Sequence, residues 1–131
     1  MERSARLGKL VRTTDGSVVA QRLEVADSFW SRARGLLGRS SLDHGGGLLI
    51  EPCASVHMFF MKFPIDVVFA VRETEGDLFV RKVVADLGPW RMSACLGAAV
   101  AVELPAGTAS AMALRPGDRL RFVPADAAKG I

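Results

Sequence analysis

The densest group of chemically capable side chains lies in Cys53-Ala54-Ser55-Val56-His57-Met58-Phe59-Phe60-Met61-Lys62-Phe63-Pro64-Ile65-Asp66. Cys53, His57 and Met61 are thiolate, imidazole and thioether donors four residues apart, ligand types suited to copper or zinc. In an extended chain rising about 3.3 Å per residue, such neighbours stand roughly 13 Å apart. Metal–ligand bonds are only about 2.0 to 2.3 Å long. A metal-binding protein built on Cys53, His57 and a carboxylate therefore needs a helical turn or sharp bend here. The Phe-rich, β-prone composition favours a structural cysteine and methionine instead, and no cofactor is expected.

His57 has a second reading. It lies close in sequence to Asp66, the one acid within the apolar run from Ile65 to Val71. A carboxylate there must be paired or placed at a strand end, because burying it alone is costly. His57, Lys62, Arg91 and the arginines of residues 32 and 34 are candidate partners. A His57–Asp66 pair suits general acid–base work, with the carboxylate orienting the ring; the same pair also serves as a structural ion link. Glu103, in Val102-Glu103-Leu104-Pro105-Ala106-Gly107, is likewise an acid at the end of an apolar run. Two such acids are suited to acid–base chemistry, though nothing in the spacing brings them together.

Asp86-Leu87-Gly88-Pro89-Trp90-Arg91-Met92 is the second feature. Gly-Pro fixes a turn, and Trp90 followed by Arg91 sets an amphipathic ring beside a fork-shaped donor. The pair suits carboxylate, sugar or peptide ligands. It equally suits a tryptophan lid packed on the body, with Arg91 clamping Asp66 or Glu103. No nucleophile elbow, phosphate loop, dinucleotide fingerprint or metalloprotease motif is present.

The elements that must position these residues read as short strands between turn signals. Leu7 to Arg12 and Val18 to Val25 are strand candidates joined by a tight turn at Asp15-Gly16. Asp27 or Ser28 caps a helix over about 28–37, with Phe29, Ala33, Leu36 and Leu37 at helical spacing. Leu48-Leu49-Ile50 follows the Gly45-Gly46-Gly47 bend, and His44 sits in that bend. Ile65 to Arg72, apolar on both faces apart from Asp66, predicts a central strand covered on each side. Leu78 to Ala85, Ala98 to Leu104 and Arg119 to Val123 complete the set. The expectation is mainly β: a compact, mostly antiparallel β-sandwich or barrel with one short helix.

The 131 residues fit a single domain, with a body over about 7–124. The formal charge of +3 falls entirely within residues 1–12, and the rest of the chain balances. A nucleic-acid binder needs its basic face on the folded body, so nucleic acid is not an expected partner. The longest apolar run falls far short of the roughly 18 residues of a membrane span. The amino terminus shows no apolar signal region, which predicts a cytoplasmic protein, although a chain trimmed of a signal would read the same way. Cys53 and Cys95, if paired, would close a loop of about 43 residues and stabilise the fold by about 4 kcal/mol. In the cytoplasm, free thiols are expected.

Taken in order, Arg34-Gly35-Leu36-Leu37-Gly38-Arg39, Gly47-Leu48-Leu49-Ile50, Val56 to Phe69, Pro89-Trp90-Arg91, and Val102 to Gly107 followed by Gly117-Asp118 form a pattern. It resembles the domain of unknown function numbered 192, over roughly Leu23 to Phe122. The resemblance implies one mostly β domain of bacterial or archaeal origin, often exported in its relatives, and implies no reaction. This chain departs from it by lacking a signal and by carrying Leu37 where methionine is common. The family pattern recurs at Met61 to Asp66 and at Glu103 to Gly107. His57, Met61, Asp66, Trp90, Arg91 and Glu103 are therefore expected to line one cleft. The first functional reading is a small binding or accessory module whose cleft, walled by Trp90, Met61 and phenylalanines, takes a small molecule, sugar or peptide. A hydrolase or lyase using His57 with Asp66 or Glu103 is the alternative, and a metal-binding protein the second alternative.

Overall fold

The computed structural model describes residues 6–26, 41–74 and 76–125; the helix expected over 28–37 lies outside them. β1 (Arg6–Arg12) and β2 (Val18–Ala26) form the expected antiparallel hairpin. Its turn follows from residue chemistry. Gly16 adopts φ 74°, a region glycine enters without steric cost. Asp15 accepts hydrogen bonds from the Ser17 hydroxyl at 2.7 Å and the Ser17 amide at 3.0 Å.

β3 (Gly46–Ile50), β4 (Ser55–His57), β5 (Ile65–Arg72), β6 (Leu78–Leu87), β7 (Met92–Ala94), β8 (Val100–Pro105) and β9 (Arg119–Pro124) follow, with a four-residue helix, α1 (Thr108–Ala111), before β9. Seven strands close into a barrel in the order β1-β2-β3-β8-β5-β6-β9, and β4 pairs with β7 as a separate small sheet. β2 and β3 run parallel, and the other ladders among the described residues are antiparallel. The mainly β, largely antiparallel expectation thus resolves to a barrel. Closure occurs at the β1–β9 seam, where Gly8 lies opposite Pro124. A Cβ on Gly8 would come within 2.6 Å of the Phe122 ring, so only glycine lets these strands approach.

Alternation along the strands divides the apolar side chains into two cores. Val68 and Ala70 of β5, with Val100, Val102 and Leu104 of β8, fill the lumen beside Leu10, Leu23, Leu49 and Leu120. Ile65, Val67 and Phe69, with Ala101, face outward and pack under Val56, Met58 and Met61. β5 is therefore covered on both faces, as its continuous apolar run predicts. The segment carrying β4 and the loop carrying β7 form a flap over this outer core, tied by Cys53 N–H to Ala99 O at 3.0 Å and Lys82 Nζ to Ala94 O at 2.8 Å. Among the described residues, no helix is long and apolar enough to cross a membrane.

Candidate functional site

Asp66 is completely buried, and its carboxylate is held by backbone. Oδ1 accepts the Asp86 amide at 2.8 Å; Oδ2 accepts the Gly107 amide at 3.1 Å and the Ala109 amide at 2.8 Å. Three backbone N–H donors are a strong set of partners for a buried carboxylate. The group thereby caps the start of α1 and joins the Met61–Asp66 stretch to the Glu103–Gly107 stretch. Of its expected side-chain partners, His57, Lys62 and Arg91 make no hydrogen bond to Asp66 among the described residues, and residues 32 and 34 lie outside them.

Glu103 lies on the other face of the same wall. Asp66 is opposite Leu104, a lumen residue, whereas Glu103 is opposite Val67 and Leu48, which belong to the outer core. The one-residue offset between the two pairings sends the two carboxylates to opposite faces of the sheet. They do not form a pair of the kind acid–base chemistry needs. Glu103 is 6% exposed.

His57, Trp90 and Arg91 do come together, on the outside of the flap. β4 and β7 pair His57 with Met92, and both are exposed. The loops at their ends are laced by Met58 N–H to Arg91 O and Trp90 N–H to Met58 O, both 2.7 Å. This lacing sets Phe60 and Trp90 at a tilt, with ring centroids 4.8 Å apart at 59°. Phe59 stands 6.0 Å from Trp90 on one side and 4.8 Å from the His57 ring on the other. Four rings thus make a continuous cluster, and Phe60 is 68% and Trp90 60% exposed.

Backbone strain marks the same place. Phe60 and Trp90 adopt φ 66° and 69°. This left-handed region costs a residue with a Cβ about 1–2 kcal/mol, and such strain gathers at ligand sites. Trp90 is therefore displayed and not packed down as a lid, which corrects one of the two sequence readings of the Trp90–Arg91 pair. Met61 lies beneath the cluster, buried in the outer core. The six residues expected in one cleft therefore fall into three groups. His57, Trp90 and Arg91 are on the surface; Met61 and Glu103 belong to the outer-core face; Asp66 belongs to the lumen side. Phe59, Phe60 and Met92 join the site; a pair of phenylalanines flanked by methionines, just ahead of Pro64, was the available signal.

Two exposed cations stand close to the ring residues in sequence. Lys62 and Arg91 are exposed, and neither makes an ion pair among the described residues. Asp86, near the end of β6, is an exposed acid. The chain bends after β4, with Met61 N–H on Met58 O at 3.1 Å, yet among the described residues no three His, Cys, Asp or Glu side chains gather as metal ligands. Elsewhere, a cleft of about 460 Å³ lies between β2 and α1, bordered by Val18, Gln21, His44, Thr108 and Met112. Its α1 wall is the segment that Asp66 holds.

The geometry defines a class: a closed seven-stranded barrel carrying an external flap with an exposed aromatic surface. The chain belongs to the DUF192 family, described as "Uncharacterized ACR", whose model matches residues 10–122. It is 31% identical over 119 residues to a UPF0127 protein of Thermococcus sibiricus, covering 85% of this chain and 72% of that one. A protein of unknown function from Novosphingobium aromaticivorans shares the fold with TM-score 0.72 and 22% identity, over 88% of this chain and 83% of that one. A putative transcription regulator from Sinorhizobium meliloti shares it with TM-score 0.75 and 22% identity, over 93% and 98%.

Proposed function

We propose that the protein is a small binding module whose flap takes an acidic peptide segment of a partner protein, anchored by an apolar side chain on the His57–Phe59–Trp90–Phe60 cluster. The observation that carries this reading is the left-handed backbone shared by Phe60 and Trp90, which holds two large rings out in solvent at a cost to stability. Lys62 and Arg91 supply the complement to carboxylates, with Arg91 able to grip one in two-point fashion. The 59° tilt between Phe60 and Trp90 supports a peptide over a sugar. Tilted rings make a notch for a side chain, whereas a pyranose stacks best on a flat face. The lumen of the barrel is filled by side chains and has no part in the reading.

The test is selection from a random-peptide display library, with immobilised neutral oligosaccharides run in parallel. Enriched peptides carry an aromatic or leucine anchor flanked by Asp or Glu, and Trp90→Ala weakens their binding by roughly 30-fold. Enrichment without acidic residues, retention by Trp90→Ala, or binding of the oligosaccharides alone would overturn it.

A further inference from the structure

We propose that β4 takes the peptide segment as an added antiparallel strand, one peptide residue exchanging both backbone hydrogen bonds with His57; this rests on the binding reading above and specifies how the partner's main chain is held. The parity of the β4–β7 ladder leaves the backbone of His57 open. Cys95 N–H donates to Ala54 O at 2.9 Å, and Met58 N–H donates to Arg91 O at 2.7 Å. In an antiparallel ladder every second residue turns its N–H and C=O to the partner strand. Ala54, Val56 and Met58 are thus the set bonded to the β7 side. Ser55 and His57, opposite Ala94 and Met92, turn theirs away from it.

A sheet of two strands has two edges, and these two differ. On β7 the outward carbonyl of Ala94 accepts Lys82 Nζ at 2.8 Å, a lysine that closes that edge. On β4 the Ser55 carbonyl accepts the Cys53 thiol at 3.1 Å. Among the described residues, no hydrogen bond reaches the N–H or C=O of His57. Unpaired main-chain groups on an edge are a template for a further strand, and the antiparallel sense is the slightly more stable one.

The open groups and the rings meet at one residue. His57 is exposed, and its ring stands 4.8 Å from that of Phe59. Where two antiparallel residues exchange both N–H···O bonds, their side chains leave the same face of the sheet. The peptide residue bonded to His57 therefore sets its side chain beside the His57 and Phe59 rings, and it is the apolar anchor. Its two neighbours turn their N–H groups away from β4. The edge is short, because the chain bends after Met58 and Phe60 adopts φ 66°. Few main-chain bonds form, so the rings supply the rest of the affinity, as side-chain pockets do elsewhere in strand addition.

Two measurements on the native full-length chain test this. Amide hydrogen exchange reads the edge without any ligand: His57 N–H exchanges at least about tenfold faster than Val56 and Met58 N–H, which are bonded to the β7 side. The most enriched peptide of the display selection is then resynthesised with an N-methyl group at each position in turn. Methylation of the anchor residue weakens binding about tenfold or more, methylation of either neighbour changes it by less than about twofold, and the bound peptide slows the His57 amide. His57→Ala and His57→Pro remove the same ring, but only proline removes the N–H, so the proline variant binds about tenfold more weakly still. The methylated peptides keep the test independent of how well that variant folds. A His57 amide as protected as that of Val56, or a methylation profile that is flat or falls at the neighbours, would overturn strand addition and leave the binding reading standing. Absence of any enriched peptide alongside a fast-exchanging His57 amide refutes the binding reading, and strand addition with it.

Discussion

The backbone N–H of Ala109 donates to the carboxylate of Asp66 at 2.8 Å across 43 positions of sequence. A buried acid thus organises a helix start that carries no capping side chain of its own, since Gly107 occupies the cap position at φ 98°. Asp66→Ala should destabilise the fold by about 3 kcal/mol, because three amide donors lose their acceptor. Urea unfolding checks this: the midpoint falls with an unchanged slope. Asp66→Asn should recover part of the loss, its amide oxygen replacing only one of the two acceptor atoms. Peptide binding at the flap should persist in both, and its disappearance in a folded Asp66→Asn protein would show that Asp66 acts at the site.

The strain at Trp90 can be separated from the ring. Trp90→Ala and Trp90→Gly remove the same indole, but only glycine accepts φ 69° freely. The glycine variant should be the more stable of the two by about 1 kcal/mol, with peptide binding weakened to the same degree in both. Equal stabilities would mean that the left-handed backbone carries no cost.

Acid sensitivity at the β1–β2 turn follows from Asp15. The Ser17 hydroxyl first, then the Ser17 amide and Arg12, hold its carboxyl down at about 2, from an ordinary value near 3.8. The folded value is depressed, so the turn's contribution is present above the unfolded value. It fades as pH falls from about 4 through about 2. Carbon-detected NMR titration should place Asp15 near 2, and Ser17→Ala should move it upward. An ordinary value in the native chain would refute this turn geometry.

Gly8 sits where the barrel closes. Gly8→Ala drives a methyl into the Phe122 ring and the Val123 carbonyl, with 2.6 Å to the ring. Overpacking of this kind costs about 1–3 kcal/mol. The denaturation midpoint should fall, and amide exchange should accelerate first along β1 and β9.

Much of the barrel was legible in the residues themselves. Ile65–Arg72 reads as a buried strand because its apolar residues are continuous, and the structure keeps those bounds. Asp15-Gly16 announces a turn through glycine's positive φ, independent of anything distant. β4 and β7 leave no mark in the sequence pattern because three residues are too few for alternation to show, and their pairing joins segments more than 30 positions apart. Asp66 reads from the sequence as an acid in need of partners. Its partners are the backbone amides of Asp86, Gly107 and Ala109, and an amide has no signature in residue type. The same limit governs Trp90: burial and display differ by a rotation of the loop, which residue type does not encode. His57 and Arg91 were placed together by the register of two strands that the periodicity did not reveal.

The lumen and outer cores share no side chain, although they are two faces of one wall. Substitutions at the rim of the flap, at Phe59, Phe60, Met92 or Arg91, leave the packing that closes the barrel untouched. Change in the flap surface is thereby uncoupled from the inheritance of a stable scaffold, and descendants of one such chain can diverge on that face while folding alike.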